Sequence, residues 1–540
     1  MPAHSKPHNR GGRGRPPATP RCSGGPGAGG LGASGVGGRG VPRRHASFLG
    51  FGSLFGDGAY SENIYVGGVL VQPVAEHEYR VRGQSNPTQS TYYGPWSSAG
   101  LWDNSTLAAG CWIGVWSGAE VWAQADLPTP MAVSQIVLRP RTDNYYVRHC
   151  SAYRLEGWDG SAWVVLSTKT GITSAQFGWG VSYTDVVNSA VKISKVRLVL
   201  TAMQAGNDGY FEIGELEMYE KLADCIVITG AATVVPDAVT GAAGFSCKNL
   251  VLDGASASLT PTVNCKGLLG FLTGKAVLLN GAKMHMDRMG KAGNFGNLTA
   301  YTLAPASIRR KLKKTLHDLY TVHDEGAAGA APVYQPTANF SVLYGTTPAA
   351  AGAMRTGGGG PGAVACHSVP MTGARAGKGG PCCGGAAAAI LIAANQSAQV
   401  PVTDSGDYGG PAGPVTYAGG VSNTAAGGTP GDPVGAPYQG SAALGGGGGL
   451  LMLFAGGGVS IGAGCIASSD GSPGGNAGGF TYNIGASGAG GGLVCIVVPT
   501  GMYSNLGTVR AAGGAPGSGG FGGSNVGGGL GSVNIFYYVE

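Results

Sequence analysis

The stretch AYRLEGWDGSAWVVLST, residues 152–168, decides the fold of the first half of the chain. Residues 152–158 and 162–168 alternate apolar with polar side chains, and turn-forming Asp159 and Gly160 lie between them. Such alternation, bounded by turn residues, is typical of β-strands with one buried face. The same pattern recurs at residues 121–127, 134–140, 195–202 and 211–219. Since no convincing amphipathic helix interrupts these runs, the sequence predicts an antiparallel β-sandwich.

Four separated motifs in this region form a recognisable series. They read WDNS at 102–105, WAQADL at 122–127, YRLEGWDGSAW at 153–163, and VRL at 196–198 followed by GELEMY at 214–219. Together they resemble the discoidin family, also called coagulation-factor type C domains, which sits beside galactose-binding carbohydrate modules. The resemblance implies an eight-stranded jelly-roll sandwich over residues 62–221, with loops at one end that bind sugars or, in some members, lipids or protein.

The same resemblance implies a structural calcium ion. Its ligands would be Asp103, the backbone around Asn104 and Ser105, and Glu215. Carboxylate and carbonyl oxygens suit calcium, but two carboxylates are few for an ion that takes roughly six to eight oxygens. The alternative is that Asp103 caps a turn and Glu215 is a surface charge at a strand end.

Polar and aromatic residues in the loops are candidates for ligand binding, because sugar C–H faces pack on aromatic rings and hydroxyls bond to charged or amide groups. The candidates are Arg141, Asn144, Tyr145, Tyr146 and Arg148 in one loop, Asn207, Asp208 and Tyr210 in a second, and Trp112 and Trp116 in a third; Tyr92, Tyr93 and Trp96 form a further aromatic group. By contrast, Trp122, Trp158 and Trp163 fall on strand patterns, which predicts that they lie in the core.

Residues 222–300 contain short strands separated by Gly, Asn-Gly or Asp-Gly turns, a rhythm typical of stacked solenoid rungs. The motifs CKGLL at 265–269, VLLNGA at 277–282 and MDRMG at 286–290 resemble the start of glycine-rich β-solenoid domains of phage and prophage tail proteins. Residues 301–326 follow as one basic amphipathic helix. Such a helix could bind membranes or nucleic acid, but packing of its leucine stripe on a neighbour is the favoured interpretation.

The segment 327–540 carries much of the chain's 103 glycines. Apolar runs at 450–455, 493–498 and 533–538 are separated by glycine blocks, which predicts a glycine-rich repeat domain, either a β-solenoid or extended glycine helices that pack closely without side chains. The arrangement resembles the distal domains of phage tail-fibre adhesins, in which loops carry recognition. Such loops would include residues 404–408 and 482–483.

Composition excludes several classes of protein. With 43% hydrophobic and 11% charged residues, the chain as a whole is too apolar for a disordered protein. The net charge of +6 comes largely from a predicted disordered basic leader, 1–47, and from residues 309–314, so nucleic acid is not the expected partner. Residues 48–61 are predicted to be a linker.

The N-terminus lacks the apolar core of a signal peptide, and no apolar run is long enough to span a membrane. The sequence therefore predicts a protein made in the cytoplasm without a signal peptide, and the resemblance to tail proteins implies a place on a virion tail or an extracellular surface. The eleven cysteines contain no C-x-x-C pair, which favours reduced, buried thiols. Cys366, His367, Cys382 and Cys383 have poor spacing for zinc.

No catalytic constellation is visible in the sequence. A glycosidase needs two carboxylates roughly 5 to 9.5 Å apart, and Asp404 and Asp407 lie in a loop without a nearby histidine or aromatic cleft. The sequence predicts a non-enzymatic tail adhesin that binds bacterial surface glycan, with other tail or fibre proteins as partners and a homo-oligomer as an open alternative. A glycan depolymerase and a structural surface protein without glycan binding are the alternative functions.

Overall fold

The computed structural model of the 540-residue chain is built almost entirely of β-strands. It describes residues 63–103, 110–142, 148–238, 241–263, 265–290, 447–473, 488–516 and 527–539, and five short strands between 333 and 423. Across these residues there is no α-helix, and the one helical element is a 3-10 helix, Ser98–Trp102. The predicted basic helix at 301–326 lies outside the described residues. No helix in the described part of the chain is long and apolar enough to cross a membrane.

The strands fall into an amino-terminal set, a middle set and a carboxyl-terminal set. The first set is β1 (Ile64–Val66), β2 (Val69–Leu70), β3 (Val74–Val81), β4 (Ser85–Gln89), β5 (Trp112–Val115), β6 (Val121–Arg139), β7 (Cys150–Trp158), β8 (Trp163–Lys169), β9 (Tyr183–Val186), β10 (Lys192–Met203), β11 (Tyr210–Ile213) and β12 (Glu215–Ile228). The middle set is β13 (Ala231–Val234), β14 (Ala243–Cys247), β15 (Asn249–Asp253), β16 (Ser258–Pro261), β17 (Gly267–Leu272), β18 (Lys275–Leu279), β19 (Lys283–His285), β20 (Val333–Pro336), β21 (Ser341–Tyr344), β22 (Ala365–His367), β23 (Val415–Thr416) and β24 (Ser422–Asn423). The last set is β25 (Leu450–Ala455), β26 (Gly458–Ile461), β27 (Ile466–Ser468), β28 (Leu493–Pro499), β29 (Tyr503–Asn505), β30 (Thr508–Arg510) and β31 (Ser532–Tyr538).

The first set builds a β-sandwich from antiparallel pairs, which confirms the fold predicted for this region. β10 lies between β6 and β7, β8 follows β7, and β12 pairs with both β6 and β3. The predicted alternation is visible in β6, where Val121 and Ala123 are buried while Trp122 and Gln124 lie on the opposite face. The buried side belongs to one apolar core that includes Tyr153.

β6 is one continuous strand where the sequence predicted two. β10 pairs with residues 121–126 and 131–132, β12 pairs with residues from 133 onward, and residues 127–130 lie at an irregularity within the β10 pairing, where they have no ladder partner. Pro128 and Pro130 therefore occupy positions that need no N–H for a ladder, which is where a strand tolerates proline. The predicted strand at 211–219 is divided instead at Gly214. A Cβ at this position would lie 2.6 Å from the carbonyl oxygen of Pro140, which explains the glycine.

The prediction that Trp122, Trp158 and Trp163 are core residues is wrong. Each is only half-buried, and their strand neighbours Ala123 and Gly157 occupy the buried face. Alternation shows that a strand has two different faces but not which face is buried. A tryptophan on the outer face makes that face look apolar too, so the pattern no longer identifies the core side. On the outer sheet surface, Trp122 and Trp163 instead pack on the guanidinium of Arg197, and Trp158 packs on Trp163.

Strands β12–β19 and β25–β31 form three sheets through parallel pairs, here called the parallel stack, whereas β20–β24 form two small antiparallel sheets. One sheet runs β12-β15-β18-β26-β29, the second β13-β16-β19-β27-β30, and the third β14-β17-β25-β28-β31. Successive strands therefore visit the three sheets in turn, and each turn of the chain lies in register on the one before. A single core of buried aliphatic side chains, such as Leu250, Leu278 and Ile496, fills the inside.

The sandwich and the parallel stack share both a strand and a core. β12 pairs with β6 through its first half and with β15 through its second, so one strand crosses the predicted boundary at residue 222. Val251 and Val277 of the stack belong to the sandwich core. β1, predicted to lie in the sandwich, pairs with β13 of the stack. The two parts are therefore continuous in structure.

Glycine-rich backbone packs closely at one corner of the stack, where the chain passes from the second sheet to the third. A Cβ at Gly514 or Gly528 would lie 1.8 Å from a carbonyl oxygen of a neighbouring segment. Backbone hydrogen bonds join the segments, among them Gly514 N to Ala489 O at 2.7 Å. The predicted close packing of glycine backbone is confirmed here. The described chain is interrupted after residues 290, 473 and 516, each time between a strand of the second sheet and a strand of the third.

Seven cysteines are buried thiols, as the sequence predicted: Cys111, Cys150, Cys225, Cys247, Cys265, Cys465 and Cys495. Burial raises the pKa of the Cys150 thiol to about 12, which keeps it protonated and unreactive at neutral pH.

Candidate functional site

The candidate site is built on the short antiparallel pair β5–β11. Tyr210 lies opposite Val115, and Glu212 lies opposite Ile113. Between them, the ring of Phe211 turns to the core and covers Gly114, where a Cβ would lie only 2.3 Å from the ring. Only glycine leaves room for the Phe211 ring at position 114, and this packing anchors the strand pair to the sandwich core.

Glu212 is a fully buried carboxylate that holds two arginines. Its Oε1 accepts hydrogen bonds from Arg148 Nη1 at 2.8 Å and from Arg141 Nη1 at 3.3 Å. Arg148 also donates to Asp208, through Nε to Oδ1 at 3.0 Å and Nη2 to Oδ2 at 2.6 Å. The charge-assisted fork to Asp208 fixes the plane of the Arg148 guanidinium, and the bond to Glu212 holds the Arg141 guanidinium beside it.

Three aromatic rings complete the group. The guanidinium of Arg148 lies 5.0 Å from the Tyr210 ring centroid, and that ring meets Tyr93 edge-on at 5.1 Å. Tyr93 and Trp96 have nearly parallel rings 6.0 Å apart, and Arg141 lies 5.9 Å from the Trp96 ring. The contacts form a closed ring that starts and ends at Glu212. We call Tyr93, Trp96, Arg141, Arg148 and Tyr210 the aromatic–arginine cluster.

The loop before β11 is fixed by Asn207. The Asn207 Oδ1 accepts from the Gly209 N–H at 2.6 Å, and its Nδ2 donates to the Tyr210 carbonyl. Gly206 and Gly209 have φ angles of 85° and 88°, which glycine adopts without strain. Asn207 was predicted to contact ligand, but its amide is engaged by its own turn, so it positions Asp208 and Tyr210.

The other predicted ligand residues differ in where they lie. Arg141, Arg148, Asp208 and Tyr210 are brought together, as described above. Trp112 is fully buried, with its ring 4.5 Å from that of Phe211, so the prediction that it is available to a ligand is wrong. Trp116 is half-buried against the sandwich core. Three predicted residues lie outside the described residues: Asn144, Tyr145 and Tyr146.

Sequence reasoning missed two residues of this region. Glu212 sits on a strand pattern between apolar residues, and a charge in such a position is the signal that could have identified it. Trp179 is 58% exposed in a loop between β8 and β9, and the glycines on both sides of it are a turn signal. The Phe177 carbonyl in that loop accepts from Gln204 Nε2 at 2.9 Å, which ties the loop to the segment that leads to Asp208.

The predicted calcium site is only partly described. The buried carboxylate of Glu215 accepts a hydrogen bond from Arg80, and burial raises its pKa. One carboxylate oxygen of Glu215, Oε1, is thus already paired with a guanidinium. Asp103 follows the 3-10 helix, whereas Asn104 and Ser105 lie outside the described residues. The described residues contain no group of three or more His, Cys, Asp or Glu side chains suited to a metal. Calcium binding stays a prediction.

The Asp208 carboxyl is expected to titrate below its ordinary pKa, because Arg148 donates hydrogen bonds to it. Arg148 stabilises the ionised carboxylate. The contribution of this ion pair to folding stability is therefore complete above the ordinary pKa of aspartate, and it is lost as the pH falls through the lowered pKa of Asp208. Carbon-13 NMR of the Asp208 carboxyl against pH measures this. Arg148→Ala should return the pKa toward its ordinary value, and an unchanged titration in that variant would contradict the assigned cause.

Comparisons with known proteins bear on the same part of the chain. Residues 85–216 match the F5/8 type C domain, so the chain carries such a domain there, as the four motifs predicted. No curated protein matches the chain.

Solved structures that resemble the chain include carbohydrate-binding proteins. The family 32 CBM from C. perfringens NanJ in complex with galactose is 16% identical, with a TM-score of 0.22 over 27% of this chain and 100% of that one. The chitosan-binding module 1 of a chitosanase/glucanase from Paenibacillus sp. IK-5 is 16% identical, with a TM-score of 0.22 over 26% and 99%. A fucolectin from striped bass serum is 18% identical, with a TM-score of 0.21 over 26% and 46%.

Proposed function

We propose that the F5/8 type C domain binds carbohydrate at the aromatic–arginine cluster. The observation that carries this proposal is the closed ring of contacts around buried Glu212, which fixes two guanidinium groups and three aromatic rings before any ligand arrives. Fixing them in advance lowers the entropy that binding must overcome. Tyr93 is 47% exposed and offers a ring face to sugar C–H groups. The Asp208 carboxylate, 46% exposed, can accept from hydroxyls.

The whole chain would then act as a phage or prophage tail adhesin that recognises bacterial surface glycan. Two features support this finer proposal: the glycine-rich segments resemble those of tail-fibre adhesins, and the three long connections 291–446, 474–487 and 517–526 each join a strand of the second sheet to a strand of the third. In repeat proteins, insertions on one side are often the binding side. We propose that the stack is a β-solenoid that presents these connections. Several copies on one particle would strengthen weak single-site binding.

The proposed function involves recognition without catalysis. Incubation of the full chain with purified bacterial surface polysaccharide, followed by measurement of released reducing ends, tests this point. We expect binding with no release. Release that depends on protein concentration would instead support the depolymerase alternative.

Tyr210→Ala is expected to weaken binding of glycan hits from an array of galactose-terminated and other saccharides by about tenfold or more, since one well-placed aromatic contact contributes on the order of 1 kcal/mol or more. Isothermal titration calorimetry of those hits measures the change. Tyr537→Ala is the matched control, because Tyr537 is 51% exposed on β31 of the stack, away from the cluster. Equal affinities for the Tyr210 variant and the natural chain would exclude the cluster as the sugar site.

A further inference from the structure

The outer face of the sandwich sheet carries an aromatic surface distinct from the loop cluster. Trp122 on β6 and Trp163 on β8 both contact the guanidinium of Arg197 on β10, at 5.0 and 3.8 Å from their ring centroids. Trp158 on β7 meets Trp163 with ring centroids 5.8 Å apart. We call these four residues the outer-face platform. They span four neighbouring strands in the order β6-β10-β7-β8.

The platform is held rigid from below by hydrogen bonds across the strands. Arg197 lies directly opposite Gln124 and Glu156 in the two neighbouring strands. Its Nη2 donates to Gln124 Oε1 at 2.9 Å, and its Nη1 contacts Glu156 Oε2 at 3.4 Å. The guanidinium therefore lies fixed between two indoles. The two indoles and the guanidinium make a broad, partly apolar surface. Because these groups are already ordered, little conformational entropy is lost when a ligand binds.

Charges on this face are already paired with one another. Arg154 donates to Glu156 at 2.6 Å and to Glu120 at 3.0 Å, and Glu156 also takes Arg197. At the rim, Lys195 lies 3.2 Å from Asp126. A face whose charges are internally matched gives no electrostatic preference for an ionic partner. The occupant that fits is uncharged, with flat apolar faces and hydroxyls at its edges, which is the chemistry of a neutral pyranose chain.

We infer that the outer-face platform is a second carbohydrate-binding surface, which takes an extended uncharged glycan lying across the strands. It shares no residue with the aromatic–arginine cluster, which is built on the separate pair β5–β11. One molecule would then hold a long glycan through the sheet face and a terminal sugar through the loops, and two linked contacts raise the overall affinity.

The test uses the full chain and uncharged linear hexasaccharides (cello-, xylo-, manno- and N-acetylchitohexaose), with the corresponding monosaccharides beside them. At least one hexasaccharide should bind, and Trp163→Ala and Trp122→Ala should each weaken it by about tenfold. Val165→Ala is the control, because Val165 is 58% exposed on the same face but carries no ring. Indole N–H signals of Trp122 and Trp163 in nitrogen-15 NMR should shift on titration.

Several outcomes would overturn the inference. They are no binding of any hexasaccharide, equal binding by the tryptophan variants and the natural chain, or a change in sedimentation mass on Trp163→Ala without a change in glycan affinity, which would assign the face to a second copy of the chain. Tyr210→Ala separates the two sites. That variant should lose binding at the loop cluster and keep the shift of the Trp163 indole signal, so failure of one site can be told from failure of the other. Near-ultraviolet circular dichroism of each variant checks that the fold is retained.

Discussion

Replacing Lys275 with alanine is expected to lower the free energy of unfolding by about 3–5 kcal/mol, the cost of leaving a buried charge without its partner. Lys275 Nζ lies 2.8 Å from both carboxylate oxygens of Glu220 and donates to the Pro130 carbonyl at 3.1 Å. Tyr79 donates to the same carboxylate at 2.5 Å. Lys275 and Glu220 are only 6% and 5% exposed, and burial lowers the pKa of the lysine.

This ion pair joins the two halves of the described structure. Lys275 begins β18 of the parallel stack, whereas Glu220 and Pro130 belong to β12 and β6 of the sandwich. Loss of the amine should therefore loosen both parts together. All eight tryptophans lie between residues 96 and 179, so their fluorescence reports the sandwich, and far-ultraviolet circular dichroism reports both parts. Urea titration followed by the two signals should show a lower midpoint in each.

Two further variants make the Lys275 result specific. Lys248→Ala breaks a pair of similar length, 2.8 Å to Asp224, whose side chains are 44% and 41% exposed, and it should cost about 1 kcal/mol or less. The double variant Lys275→Met with Glu220→Leu removes both charges and should recover most of the stability. A Lys275→Ala midpoint equal to that of Lys248→Ala would show that the buried pair does not hold the joint.

Local patterns in the sequence predicted the strands well, but they did not predict that one strand belongs to both the sandwich and the parallel stack. Alternation predicted the first half of β12, as part of the strand at 211–219, yet nothing local shows that one strand serves the sandwich and the stack. Lys275 and Glu220 are separated by 55 residues, so their pairing depends on the tertiary fold. For the same reason the outward position of Trp122 was not predictable, because alternation does not tell which face of a sheet becomes covered.

The site shows the same division between local and tertiary information. Arg148, Asp208 and Tyr210 could be predicted because they are polar or aromatic residues between strand patterns. Glu212 carries a local signal, a charge on a strand pattern, but its role of holding two arginines from another segment depends on the tertiary fold. The prediction for Trp112 was wrong because the sequence placed this residue in a loop, whereas the structure places it on a buried strand.

Gly514→Ala is expected to disrupt the glycine-rich corner of the parallel stack, at a cost of about 3 kcal/mol or more, the upper end of overpacking costs. The new Cβ would lie 1.8 Å from the Ser472 carbonyl oxygen, and a backbone atom cannot turn aside as a flexible side chain can. The Gly514 N–H donates to Ala489 O at 2.7 Å, and its carbonyl accepts from the Gly528 N–H at 2.9 Å. Displacing one segment therefore breaks bonds to two others.

Hydrogen exchange followed by mass spectrometry is the measurement, because the damage should be local at first. Amides of β28 and β31, which continue from the glycine segments, should exchange much faster in Gly514→Ala, while those of β7 in the sandwich should be unchanged. Gly230→Ala is the matched control, since a Cβ there meets nothing within 4 Å. The three long connections join the second sheet to the third, as the glycine segments do, so the variant should also lose any binding that these connections carry. The outer-face platform on the sandwich should keep its own binding. Equal exchange in the two glycine variants would contradict a requirement for close backbone packing at the corner.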